Sequence, residues 1–167
     1  MDLDIDILIE APDWDALDLQ ALTERAVSAT CAALDLQPSS IALSVLAADD
    51  DRIATLNDSF RGKPTPTNVL SWPSEDRAAP TPGDRPDLPA PEPNGPPVEI
   101  GDIALAYGTC AREAAEAGKP LVDHISHLIV HGTLHCLGFD HETDPAAALM
   151  EGLETRILAS MGVPDPY

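Results

Sequence analysis

Residues 3–10 read Leu-Asp-Ile-Asp-Ile-Leu-Ile-Glu, and their early alternation of apolar and acidic side chains has the period of a half-buried strand. Pro12 and Asp13 break that pattern. From Trp14 to Leu36 the apolar positions recur at helical spacing (Leu19, Leu22, Ala26, Ala29, Ala33), which predicts a helix with Asp13 as its N-cap. The apolar run 41–46 predicts a second strand. Residues 49–60 predict an acid-capped helix that ends near Gly62 and Pro64, and 69–72 a third strand. Further on, 99–106 reads as a fourth strand with Gly101-Asp102 inside it. A short helix over 111–117 stops at Gly118. The next helix spans 121–137, with Pro120 in its first turn and Gly138 as C-cap. A last helix, 145–161, follows Asp144 as N-cap. No internal repeat interrupts this order, so the pattern predicts one α+β domain over 1–167, with about four strands and about five helices.

Between the third and fourth strands the pattern disappears. Residues 73–97 hold nine of the chain's seventeen prolines and almost no large apolar side chain. Such a segment buries too little surface to offset its ordering entropy. It reads as a disordered, polyproline-like insertion at 74–97, within the domain and dispensable for its chemistry.

Composition narrows the class. The chain is 44% hydrophobic but only 4% aromatic, so aliphatic side chains must fill the core. No apolar run is long enough to cross a bilayer, which argues against a membrane partner. The acidic, alternating N-terminus lacks the basic start and continuous apolar stretch of a secretory signal, so the expected location is cytoplasmic. Cys31, Cys110 and Cys136 are odd in number and form no CxxC pair, as expected of buried thiols in a reducing compartment. A formal charge of -20 argues against broad, nonspecific nucleic-acid binding and leaves room only for a local basic site.

The candidate chemistry lies in His131-Gly-Thr-Leu-His135-Cys-Leu-Gly138-Phe-Asp140-His141. Two histidines four residues apart on a helix share one face, one turn apart. Gly138 lets the chain turn back, so His141 can supply a third nitrogen. Three protein ligands with a fourth position open is the arrangement of a catalytic zinc site, and no second cysteine stands nearby to close it. The spacing H-x-x-x-H-x-x-G-x-x-H is also that of the metzincin proteases, whose general base is a glutamate after the first histidine. Here that position is Gly132, which carries no proton, so a hydrolase of another class is expected. His127, one turn earlier, has a packing or a substrate-facing role, and His124 is expected at the surface. Asp140 or Glu142 can orient a ligand imidazole, and Asp140 can equally cap the turn. Cys136 is expected in the core.

A second segment carries the scarce positive charge: Asn57-Asp-Ser-Phe-Arg61-Gly-Lys63, followed by Thr67-Asn68-Val-Leu-Ser71-Trp72-Pro73. Together with the histidine stretch from His127 to His141 and with Gly101-Asp102-Ile103, it resembles the YbeY family of bacterial endoribonucleases, the rRNA maturation factors. The resemblance covers most of residues 45–160 outside the insertion. It implies a mixed sheet packed with helices, a zinc ion at one end of a groove, and an RNA substrate rather than DNA. It further implies a part in 16S rRNA 3′-end maturation and ribosome quality control, with contacts to small-subunit ribosomal proteins. Carried onto this chain, His131, His135 and His141 are the metal ligands and catalytic residues, and Arg61 is a catalytic phosphate contact. Two departures stand out: Asn68 replaces the family's usual aspartate and cannot act as a charged group, and Trp72 replaces phenylalanine. A noncatalytic ribosome-assembly factor with structural zinc is the alternative, and a metalloprotease the weaker one.

Overall fold

The computed structural model describes residues 3–167. The first strand, β1 (Asp4–Ile9), pairs in parallel with β2 (Ile41–Ala48), and β2 pairs in parallel with β4 (Val98–Ala106). The fourth member, β3 (Val69–Pro73), runs antiparallel to β4 at the sheet edge, giving the order β1-β2-β4-β3. The sheet is therefore mixed, as the resemblance implied. A register shift separates the pairs Ala42↔Glu99 and Leu43↔Gly101. Gly101 follows it with φ +148, where a Cβ would collide with the Trp72 carbonyl, so glycine is required there.

The predicted helix from Trp14 to Leu36 is two elements. Pro12–Ala16 forms a single 3₁₀ turn that buries Trp14, whose Nε1–H donates to the Ala48 carbonyl at 2.9 Å. Anchoring the indole to the sheet breaks the path, and α1 (Leu19–Ala33) starts afresh from Asp18. The Asp18 carboxylate accepts from the Ala21 N–H at 3.1 Å, so Asp18, not Asp13, is the N-cap. The next helix, α2 (Asp50–Arg61), is capped by Asp49 and closed by Gly62 in the left-handed region. Directly from the end of β4 the chain enters α3 (Tyr107–Ala117), four residues earlier than the sequence pattern suggests. Then come α4 (Leu121–Cys136) and α5 (Asp144–Ser160). Thr143, whose hydroxyl accepts from the Ala146 N–H at 3.2 Å, caps α5 in place of Asp144.

Strand alternation sorts the core onto two faces. Leu43, Val45, Ala47, Ile103 and Leu105 join α1, α4 and α5 in the main cluster, whereas Ala48, Leu70, Ala104 and Ala106 meet Ile53 of α2 on the other side. Burying a Leu- or Ile-sized side chain contributes about 1.5–3 kcal/mol, and α4 alone buries Ile125, Leu128, Ile129, Val130 and Leu134. That helix touches α1, α3, α5 and the sheet. Its remaining face, at the C-terminal end, carries the histidines. Residues 74–97 form neither helix nor strand; Leu88 packs against the main core, and the chain at Arg77 crosses the end of α4.

Candidate metal centre

His127, His131 and His135 follow one another at one-turn spacing on α4, and the turn after it returns His141 to the same place. The turn depends on Gly138, which has φ +107 and lies so close to the overlying chain that a Cβ would sit 2.6 Å from the Arg77 carbonyl. The rings of His131, His135 and His141 converge, with centroids 4.5, 5.5 and 4.9 Å apart for the pairs 131/135, 131/141 and 135/141. One ligand atom from each lies within 4.8 Å of the other two. His141 is exposed and the other two are half-buried, so the cluster opens to solvent on one side.

The donor set fits a zinc-sized ion. Zinc–imidazole bonds of ~2.0–2.1 Å in a tetrahedron put neighbouring nitrogens about 3.3 Å apart, and His131 Nε2 and His135 Nε2 stand 3.1 Å apart. Imidazole ligates only when neutral. Burial, reinforced by the neighbouring His131 and His141, pushes His135 down to about 4.

Behind this cluster lies a carboxylate that sequence reasoning missed. Glu154 of α5 has a fully buried side chain. Its Oε1 accepts from His131 Nδ1–H at 2.8 Å and from His127 Nε2–H at 3.0 Å, and its Oε2 accepts from the Tyr167 hydroxyl at 2.8 Å. Burial alone would raise its pKa, but the hydrogen bonds from His127, His131 and Tyr167 outweigh it and hold the carboxyl down to about 2. The sequence offered Asp140 and Glu142 for orienting a ligand. Asp140 instead accepts from the Glu142 N–H at 3.1 Å and so caps the turn, and the orienting contact comes from a residue 23 positions beyond His131. Glu154 stands among Leu153, Ile157 and Leu158 on a buried stripe; a lone acid at a core position of α5 was the signal that could have found it.

His124 is not at the surface. It is buried, and its Nε2 lies 2.9 Å from Glu113 Oε1, because the N-terminal half of α4 packs on α3. The same Glu113 oxygen accepts from Asn68 Nδ2 at 3.0 Å, while Asn68 Oδ1 accepts from the Val69 N–H at 2.7 Å. Asn68, just before β3, is thus a bridge to α3, which an aspartate would replace with a second acceptor. Gly132 is buried against β4, where a Cβ would meet the Ile103 side chain at 3.1 Å. A glutamate there would start inside the core and press on the Ile103 side chain. The three cysteines are free and buried, and desolvation pushes Cys31 up to about 11 and Cys110 and Cys136 up to about 12.

Arg61 is the last residue of α2 and is exposed, as is Lys63. Among the described residues no ion pair engages either. The turn that carries them is shaped by buried Asn57, whose Nδ2 donates to the Thr65 carbonyl at 2.9 Å.

These features define an α+β domain centred on a histidine cluster competent to hold a metal. The family described as Endoribonuclease YbeY matches residues 5–162, and the chain belongs to it. It is 68% identical over 165 residues to the endoribonuclease YbeY of Jannaschia sp. (strain CCS1), across 99% of this chain and 100% of that protein. It is 66% identical to that of Dinoroseobacter shibae, across 98% of this chain and 90% of the other. A solution structure of a Thermotoga maritima protein, 20% identical, shares the fold with a TM-score of 0.57 over 95% of this chain and 91% of the other.

Proposed function

We propose that this protein is a zinc-dependent, single-strand-specific endoribonuclease of the cytoplasm, acting on precursor 16S rRNA in 3′-end maturation and ribosome quality control, with small-subunit ribosomal proteins as neighbours. Family membership supports RNA as the substrate. The observation that carries the metal reading is the convergence of His131, His135 and His141 on one small volume that opens to solvent.

His131, His135 and His141 would hold the ion. Zinc supplies, when bound, a Lewis acid that lowers the pKa of a coordinated water toward neutrality or polarises a phosphoryl oxygen. The chain's own residues do the rest. His131 is held in one orientation by Glu154, and burial keeps His135 neutral. The Arg61 guanidinium offers a planar fork for two phosphate oxygens, and its exposure lets it reach a substrate backbone. It would stabilise charge that builds on the phosphate during cleavage. With Gly132 packed on Ile103, the chain supplies no base at the position the proteases use.

The test pairs metal analysis with cleavage of an RNA matching the 16S 3′ end. His135→Ala should lose zinc and at least about 100-fold in cleavage rate. Arg61→Ala should keep its zinc and lose roughly 10- to 100-fold in cleavage. A folded His135→Ala protein with unchanged zinc overturns the ligand set. Unchanged cleavage by Arg61→Ala overturns the phosphate role, and ribosome binding by a zinc-loaded protein that cleaves no RNA would identify an assembly factor instead.

A further inference from the structure

Three donors converge on the Glu154 carboxylate from two parts of the chain: His131 and His127 from α4, and Tyr167 from beyond α5. Burying a carboxylate costs several kcal/mol unless its oxygens are satisfied, and an aliphatic residue would fill this core position at lower cost. The arrangement does something an aliphatic residue cannot. A neutral imidazole carries one hydrogen, and an ionised carboxylate only accepts. His131 must therefore carry its hydrogen on Nδ1, which leaves the lone pair on Nε2, the atom 3.1 Å from His135 Nε2. The same carboxylate acts in the opposite sense on His127. That ring reaches Glu154 through Nε2, so its lone pair is on Nδ1, which is buried and meets no hydrogen-bond partner.

We infer that Glu154 is the positioning residue of the centre: it selects which α4 histidine can serve as a ligand, aiming the His131 lone pair into the cluster and turning that of His127 away. The Tyr167 hydroxyl occupies the other carboxylate oxygen at 2.8 Å and so fixes the carboxylate plane. The metal-affinity arm of this inference rests on the zinc reading above; the tautomer arm does not.

Long-range ¹H–¹⁵N correlation spectra of the full-length, metal-free protein read the tautomers directly. His131 should show the Nδ1–H form and His127 the Nε2–H form. Zinc affinity, measured in competition with a chromophoric chelator, should fall about 10- to 100-fold in Glu154→Leu, with loss of the single His131 tautomer and an unchanged far-UV circular dichroism spectrum. Glu154→Gln keeps an acceptor oxygen and should lose less than about tenfold, which separates orientation from bulk packing. The inference is overturned if wild-type His131 carries its hydrogen on Nε2. A folded Glu154→Leu protein that binds zinc within about twofold of wild type overturns it too. Should Glu154→Leu fail to fold, a Glu154→Gln protein as poor in zinc as His131→Ala does the same. A wild-type protein with both expected tautomers but no zinc affinity supports the role of Glu154 and overturns the zinc assignment instead.

Discussion

Helix α4 carries two histidine–carboxylate networks, and they differ in what lies beyond the imidazole. In the N-terminal half, His124 meets Glu113, which also accepts from Asn68. Further along the helix, His127 and His131 meet Glu154, which also accepts from Tyr167. The two carboxylates have similar partners. Glu113 remains partly exposed, with 39% of its side chain open, whereas the Glu154 side chain is closed off. The far nitrogen decides the outcome. His124 Nδ1 is buried with no partner, so that network ends there and ties α4 to α3 and β3. His131 Nε2 faces His135 and, through the turn at Gly138, His141. One network stitches the fold, and the other presents a lone pair. A histidine paired with a carboxylate is thus not in itself a metal ligand; the free nitrogen must face other ligands.

The sharpest way to break this contrast is to remove one histidine from each network. His131→Ala should lower zinc affinity by at least about 100-fold. His124→Ala should leave zinc affinity within about twofold and cost about 1–2 kcal/mol of stability, because it leaves a cavity and deprives Glu113 of a donor. Equal zinc loss in both variants, measured by chelator competition, would erase the distinction.

A smaller effect should appear in the acid stability of the metal-free protein. The folded His135 is held down to about 4, against an ordinary value of 6.5. As pH falls below the ordinary value, the unfolded chain takes up this proton first, so stability is full above that value and is lost as pH drops toward the folded one. Comparing urea melts near pH 7 and pH 4.5, His135→Phe should remove about 1–2 kcal/mol of the acid-side loss. An unchanged slope would show that this ring titrates normally. The smallest effect concerns the closed network. Asn68→Asp would set a carboxylate against Glu113 in place of a donor, and should cost about 0.5–1 kcal/mol near neutral pH with zinc affinity untouched. A stabilised Asn68→Asp protein would mean that Glu113 does not need the amide.

The local patterns were largely legible. All four strands and most helix ends follow from apolar periodicity and from punctuation by proline and glycine, because those signals act within a few residues. The misplaced boundaries have long-range causes. Trp14 leaves the helical path to reach Ala48, and Asp18 then takes over the capping role. The His124 assignment failed for the same kind of reason: α3 covers it, and one helix's pattern does not say which neighbour will lie on which face.

The sequence by itself determined that His131 and His135 share a helix face, that the chain turns at Gly138 and brings back His141, and that Gly132 brings no base. Each is fixed by spacing along a single helix and its exit. Only the tertiary structure decided that Glu154 stands behind His131, that His127 and His131 share one carboxylate, that Ile103 fills the space beside Gly132, and that Asn68 bridges to Glu113. Those contacts join residues from separate elements, and such pairs meet only when α4 is clamped between the sheet and α5.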